Sequence, residues 1–253
     1  MQDYSPSADL LEGRIILVTG AGDGIGAAAA RSFARHGATV ILLGRTIRKL
    51  EAVYDSIEQD GGPQPAIYPM NLEGASPKDY QDLAETLERE FGRLDGLLHN
   101  AAILGTLTPL EMYDLELWAK VMQVNLNAPY LLTRACLPLL KRSEDASVLF
   151  TSSAVGHRGR AYWGAYGISK AAAENMMQIL ADELEENTPV RVNSIDPGAV
   201  RTRMRAKAYP AEDPNTHPAP EEIMGIYLYL MGPDSQGETG RSFKAQQGST
   251  LSR

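Results

Sequence analysis

The 253-residue sequence contains a single cysteine, Cys136. An internal disulfide and a cysteine-based zinc site are both excluded. A reducing, cytoplasmic setting is the natural expectation, and no metal is called for. Long apolar runs are also missing: none approaches the ~20 uncharged residues that cross a bilayer. The first thirteen residues hold Asp3, Asp9 and Glu12 but no lysine or arginine. A secretory leader begins the other way, with basic residues before an apolar core. Membrane association is therefore not expected, and residues 1–13 read as a flexible lead-in. Positive charge is in short supply, with 24 Lys and Arg against 32 Asp and Glu, for a net −8. That balance disfavours nucleic acid as a partner. Disorder is disfavoured too, because 43% apolar and 22% charged residues are ordinary for a globular chain. No linker or internal repeat divides the sequence, so residues 1–253 are expected to form one domain.

What is present is an alternation. Short apolar, β-branched runs at 15–18, 39–43, 66–68, 94–98, 147–150, 190–195 and 241–245 predict strands. Near-continuous apolar runs such as Ile15-Ile16-Leu17-Val18 suit strands buried on both faces. Amphipathic stretches at 25–36, 47–59, 78–91, 115–140, 162–187 and 221–231 predict helices between them. Strand–helix alternation of this kind implies an α/β fold: a doubly wound parallel sheet of about seven strands with helices on both faces. Residues 209–220 carry Pro210, Pro214, Pro218 and Pro220 and read as an extended surface loop.

The first strand runs into Thr19-Gly20-Ala21-Gly22-Asp23-Gly24-Ile25-Gly26, and a helix follows. Such a turn lets backbone approach a dinucleotide pyrophosphate at a helix N-terminus, where free N–H groups and the dipole favour an anion. Two registers fit: Gly22-x-Gly24-x-x-Ala27, or the more open Gly20-x-x-x-Gly24-x-Gly26. The second strand ends at Gly44-Arg45, and no carboxylate occurs between Thr39 and Leu50. An acidic residue there accepts a ribose 2′-hydroxyl, whereas arginine suits a 2′-phosphate. Arg45, with Arg48 and Lys49 nearby, therefore points to NADP(H) in preference to NAD(H). Asp23 works against this, because its carboxylate repels a phosphate.

Tyr166 and Lys170 stand four residues apart and share one helix face. A phenol ionising near 10 is a weak acid–base group at neutral pH. A neighbouring ammonium favours the phenolate. A shift of about two units needs on the order of 3 kcal/mol. Ser153 lies thirteen residues upstream of Tyr166 at a strand C-terminal end, where it faces the ligand crevice of such sheets.

Taken together these motifs resemble the short-chain dehydrogenase/reductase family in its single-domain branch, over residues 14 to about 248. Thr19-Gly20-x-x-x-Gly24-x-Gly26 matches the family's cofactor turn and selects that register. Asn100-Ala101-Ala102 resembles its N-A-G segment, with Ala102 in place of glycine. Asn125 resembles the asparagine of its long helix. Ser153, Tyr166 and Lys170 match its catalytic serine and Y-x-x-x-K. Pro197-Gly198, Val200 and Thr202 match the segment on the nicotinamide side. Asn71-Leu72 stands where the family has an aspartate and an aliphatic residue against adenine.

The resemblance implies a Rossmann-like fold and a nicotinamide-dependent oxidoreductase. The expected cofactor set is Gly20, Gly22, Asp23, Gly24, Ile25, Gly26, Arg45, Asn71, Leu72, Asn100, Ala101, Ala102, Tyr166, Lys170, Pro197, Gly198, Val200 and Thr202. Tyr166 would be the general acid or base, and Ser153 would polarise the carbonyl. Lys170 would hold the nicotinamide ribose and depress the tyrosine pKa. Asn125 would keep a water in a relay through Lys170. A ketone, an aldehyde or a secondary alcohol would be the substrate. Arg158 and Arg160, with Arg201, Arg203, Arg205 and Lys207 in a probable lid over 199–220, raise the expectation of an anionic or carrier-bound substrate. Packing of long helices in this family implies a homodimer or homotetramer. The competing reading is an NADP(H)-sensing protein without turnover, which loss of Tyr166 or Lys170 would have favoured. A dehydratase or epimerase is disfavoured by the absence of a large C-terminal substrate domain.

Overall fold

The computed structural model describes residues 4–246. Seven parallel strands form one sheet in the order β3-β2-β1-β4-β5-β6-β7. They are β1 (Ile15–Thr19), β2 (Thr39–Gly44), β3 (Ala66–Pro69), β4 (Gly96–His99), β5 (Ala146–Thr151), β6 (Val190–Asp196) and β7 (Ser242–Lys244). The helices are α1 (Gly24–Arg35), α2 (Ile47–Gln59), α3 (Pro77–Phe91), α4 (Leu115–Met122), α5 (Ala128–Leu140), α6 (Ala154–His157), α7 (Gly164–Glu185), α8 (Arg203–Ala208) and α9 (Met224–Met231). The expected α/β sheet with helices on both faces is what the chain forms.

Strand alternation divides the interior into two cores. Ile16, Val18, Val40 and Leu42 pack with Phe33 of α1, Leu50 of α2 and Tyr227 of α9. Leu17, Ile41 and Leu43 face the other way, toward Tyr80 and Leu83 of α3, Leu132 of α5 and Met177 of α7. Both faces of the strands are thus covered, which explains their unbroken apolar character. Helix α3 shows how local signals set boundaries. The Asp79 carboxylate accepts from the Ser76 amide and hydroxyl, both at 2.7 Å. Pro77 opens the helix, and Gly92, with φ +75°, closes it in the left-handed region.

The strand N-termini are tied by an ion network. Asp95 accepts from Ile15 N (2.9 Å), Ser143 Oγ (2.7 Å) and Arg93 Nε (3.0 Å). Asp145 pairs with Arg14 and Arg191, each at 2.9 Å. The opposite ends of the strands open where the order reverses, between β1 and β4, which is where ligands bind in such sheets.

Three expectations need correction. Residues 4–13 are not a loose lead-in: Leu11 is fully buried, and its amide donates to His36 O (2.9 Å). Tyr4 donates to Asp234 (2.7 Å) and stacks edge-on with Tyr229 at 5.3 Å. The apolar Leu10-Leu11 pair anchors the segment. The single helix expected over 115–140 is broken by a π-helical turn at Gln123–Asn127, a wider turn of the sort that collects at functional sites. The helix expected from 162 begins at Gly164, because Tyr162 holds φ +74° and cannot join it.

Candidate active site

A cleft of about 550 Å³ runs along the strand C-termini, from Arg45, just after β2, to Tyr166 and Tyr209. Its floor is the β1–α1 turn. Gly20 and Gly24 hold positive φ (+68° and +53°), and a Cβ on Gly26 would lie 2.3 Å from Gly20 O. Those three positions are the ones the Gly20-x-x-x-Gly24-x-Gly26 register requires to be glycine. Gly22 is tight for another reason, since its Cβ would meet Lys49 Cβ at 2.9 Å. Asp23 stands at the N-cap of α1 but makes no cap. Its carboxylate instead pairs with Lys49 (2.6 Å) and Arg203 (3.4 Å). The first N–H groups of α1 therefore face the cleft without a side-chain cap, as a bound pyrophosphate requires. The two cations also answer the repulsion expected of Asp23.

Asn100 and Ala101 brace this floor. Both amides donate to Thr19 Oγ1 at 3.0 Å, and Asn100 Nδ2 donates to Thr19 O at 3.1 Å. Ala102 follows in the wall. Ile25, in the first turn of α1, lines the cleft floor. Arg45 is exposed and, among the described residues, forms no ion pair within 4 Å. Asn71 closes a turn by accepting from Glu73 N (3.3 Å), with Leu72 buried beside it. On the far side, Gln246 Nε2 donates to Pro197 O (2.7 Å) and Ala199 O (2.8 Å). Gly198 takes φ +70° there. Val200 and Thr202 line the cleft, and the Thr202 hydroxyl caps α8 by accepting from Arg205 N (3.2 Å).

Ser153, Tyr166 and Lys170 meet in the same cleft. Tyr166 is 8% exposed. Burial pushes its phenol up to about 12; Ser153 beside it opposes this, and Asp196 adds to it. Burial pulls Lys170 down to about 8, against the pull of Glu174. Burial is the largest influence on the phenol, and Lys170 does not offset it in this arrangement. Lys170 Nζ is 5.7 Å from the Tyr166 ring centroid and donates to Thr151 O at 2.6 Å.

Asn125 and Gly26 stand behind the cleft wall rather than in it. Asn125 Oδ1 accepts from Ile103 N (2.8 Å), while Nδ2 donates to Ile103 O (2.9 Å) and Ser169 Oγ (3.1 Å). Its amide is thus committed to shaping the wall. His157 does not line the cleft; it lies 3.6 Å from the buried Glu174 carboxylate, which also accepts from Ser194 (2.9 Å).

Several wall residues carry no motif of their own. Ile103, Leu104, Ser152 and Met70 line the cleft. The buried Ser152 Oγ has no partner among the described residues. Gln246, which clamps the Pro197–Ala199 backbone, also lies outside the motifs. Only its distance from the recognised motifs hides it, since glutamine is an apt backbone clamp.

A family model described as short chain dehydrogenase matches residues 14–213. The chain belongs to the short-chain dehydrogenase/reductase family. It is 51% identical to the oxidoreductase YciK of Escherichia coli over 97% of this chain and 96% of that protein. A short-chain dehydrogenase structure from Pseudomonas syringae superposes with TM-score 0.95 at 62% identity, covering 96% of this chain and 99% of that one. Another, from Escherichia coli CFT073 in complex with NADPH, superposes with TM-score 0.93 at 52% identity over 95% and 100% of the two chains. As a short-chain dehydrogenase/reductase the protein is an oxidoreductase acting on CH–OH or C=O groups with a nicotinamide cofactor. Among the described residues no helix is long and apolar enough to cross a membrane.

Proposed function

We propose that this protein is an NADP(H)-dependent oxidoreductase of a ketone or aldehyde, or of the corresponding secondary alcohol, with Tyr166 as general acid and base. The observation that carries the reading is one continuous cleft. It joins a glycine cradle, whose Gly26 admits no Cβ, to the Ser153–Tyr166–Lys170 cluster. The partnerless Ser152 hydroxyl and the uncapped start of α1 are polar groups that a dinucleotide would satisfy. Bound nicotinamide supplies or accepts the hydride. Ser153 orients the carbonyl oxygen, and Tyr166 gives or takes the proton there. Lys170, fixed on Thr151 O, holds a cation behind the phenol. Arg45, without an ion pair among the described residues, supports a 2′-phosphate, as does the NADPH held by the Escherichia coli relative.

Tyr166→Phe should lower turnover ~10²–10⁴-fold, the scale of one general acid–base group, with NADPH binding retained. NADPH oxidation across a carbonyl panel tests the reading. Inactivity of wild type on every carbonyl, with cofactor binding intact, would overturn it. Arg45→Ala should reduce the preference for NADPH over NADH roughly tenfold, the order of one charge-assisted hydrogen bond. Equal affinities in the wild type would remove that role.

The intact, assembled Tyr166–Lys170 pair gives the cofactor-sensing alternative no footing. A single domain is part of the proposal, supported by one sheet shared by all seven strands. A homo-oligomer is also part of it, supported by the exposed Leu115, Tyr130, Ile168 and Ile179 on the long helices; light scattering reads it directly. A cytoplasmic location is supported by the lone, buried, unpaired Cys136.

A further inference from the structure

Five cations line the cleft: Arg45, Lys49, Lys170, Arg203 and Arg205. Four of them are taken. Lys49 and Arg203 hold Asp23, and Lys170 holds Thr151 O. Arg205 makes a bidentate pair with Glu212, both contacts at 2.6 Å. That pair keeps the Glu212 carboxyl down at about 2. The remaining cation, Arg45, directly follows β2, three strand positions from β5 in the sheet. At about 4.8 Å per strand it sits roughly 14 Å from the β5 end that carries Ser153. Three further basic residues near the lid keep their charge but are held on neutral acceptors. Lys207 Nζ donates to Gly105 O (3.2 Å), Arg201 to Asn215 (3.1 Å) and Arg160 to Tyr209 Oη (2.8 Å).

What faces Tyr166 instead is apolar. Leu104 and Val155 are buried against it, and Leu107, Trp163, Met204 and Ala208 pack on that group. The Trp163 ring lies 5.8 Å from Tyr166 and 6.0 Å from Tyr209, centroid to centroid. Tyr209 is itself held in place, with the Arg205 guanidinium 3.9 Å over its ring. Flat rings at these spacings favour an apolar or aromatic body. A carboxylate brought there would lose water among apolar side chains, and the guanidinium over Tyr209, Arg205, already holds Glu212.

We propose that the substrate is an uncharged carbonyl compound, or its alcohol, with an apolar, preferably aromatic body seated against Trp163 and Tyr209. The proposal rests on the oxidoreductase reading and replaces the anionic substrate that the basic lid residues suggest. The positive field belongs to the cofactor end of the cleft.

The probes are propiophenone and its para-carboxylate analogue. Their equilibrium binding to the wild-type NADP⁺ complex is measured by calorimetry, alongside kcat/KM with NADPH. Propiophenone should bind at least tenfold more tightly, and be reduced at least tenfold more efficiently, than the carboxylate. Trp163→Ala should weaken propiophenone about tenfold or more while leaving the NADP⁺ dissociation constant unchanged. Glu212→Gln, which frees Arg205, should narrow the discrimination severalfold. Equal or tighter binding of the carboxylate overturns the proposal, and so does a Trp163→Ala enzyme that binds propiophenone normally. Tight binding of propiophenone with no turnover of any carbonyl would sustain this pocket assignment and refute the oxidoreductase reading.

Discussion

Asn125→Ala separates two roles for the asparagine of the π-helical turn. Asn125 is 3% exposed and satisfies both the amide and the carbonyl of Ile103, at 2.8 and 2.9 Å. Truncation leaves those two backbone groups without their partners in the cleft wall. An unsatisfied buried polar group costs about 1–3 kcal/mol. Two such groups, relieved in part by water entering the vacated space, give a loss of about 3 kcal/mol. In a chain of this length each kcal/mol moves Tm by ~2–4 °C, so the expected fall is about 6–12 °C. Ile103 stands next to Ala102 and Leu104 in the wall. Its displacement should therefore raise KM for the cofactor and lower kcat together, with the pH profile of kcat unchanged. Scanning calorimetry and kinetics from pH 6 to 9 read both effects. A variant that keeps its wild-type Tm but loses turnover and shifts its pH profile would refute the clamp. It would place a proton relay in the Asn125 side chain after all.

Two further substitutions follow from the same geometry. Gly26→Ala forces a Cβ to within 2.3 Å of Gly20 O and 2.5 Å of Asn100 Nδ2. Overpacking of this kind costs about 1–3 kcal/mol, and because it falls on the cradle, NADPH affinity measured by fluorescence should drop with stability. A Gly26→Ala enzyme that binds NADPH normally would show that the cradle is looser than this contact implies. His99 is buried against Phe150 (4.7 Å) and Thr133 Oγ1 (2.7 Å), and burial pulls it down to about 3 from 6.5. The unfolded chain then binds the extra proton below pH 6.5. The contribution is intact above 6.5 and is lost as pH falls toward 3, at up to ~1.4 kcal/mol per unit. Urea unfolding at pH 7 and pH 5 should show the loss. It should be smaller in His99→Gln, and an identical pH dependence in the two proteins would exclude His99 as its source.

Most of the fold is readable from the chain because its signals are local. Two-sided burial makes β1, β2 and β5 near-continuous apolar runs, and the stops of α1 and α3 sit at Gly37 and Gly92. The failures are non-local. Nothing in Val124-Asn125-Leu126 announces a π-helical turn, and the backbone that Asn125 holds there, that of Ile103, is twenty-two residues away. Leu10 and Leu11 look like the end of a leader until His36, Asp234 and Tyr229 close around their segment. Tyr162 differs from a helical residue only in its left-handed φ, which composition does not record.

The same distinction governs the chemistry of the cleft. Motif spacing brings Ser153, Tyr166 and Lys170 together because a strand end and one helix face determine their positions. Charge does not follow from spacing in that way. Arg203 and Asp23 are far apart in sequence yet 3.4 Å apart in space, and Lys49 reaches the same carboxylate at 2.6 Å. A count of basic residues near the lid suggests a positive pocket, but Glu212 matches Arg205 and Asp23 is shared by Lys49 and Arg203, so the field is weaker than the count. A lysine four residues from a tyrosine likewise suggests a depressed phenol pKa. Once Lys170 is directed to Thr151 O, burial becomes the dominant influence and the phenol rises to about 12. Which side chains are present is a property of the sequence. Their net field depends on which hydrogen-bond acceptors the fold brings within reach, so a partner's charge has to be inferred from the unpaired groups alone.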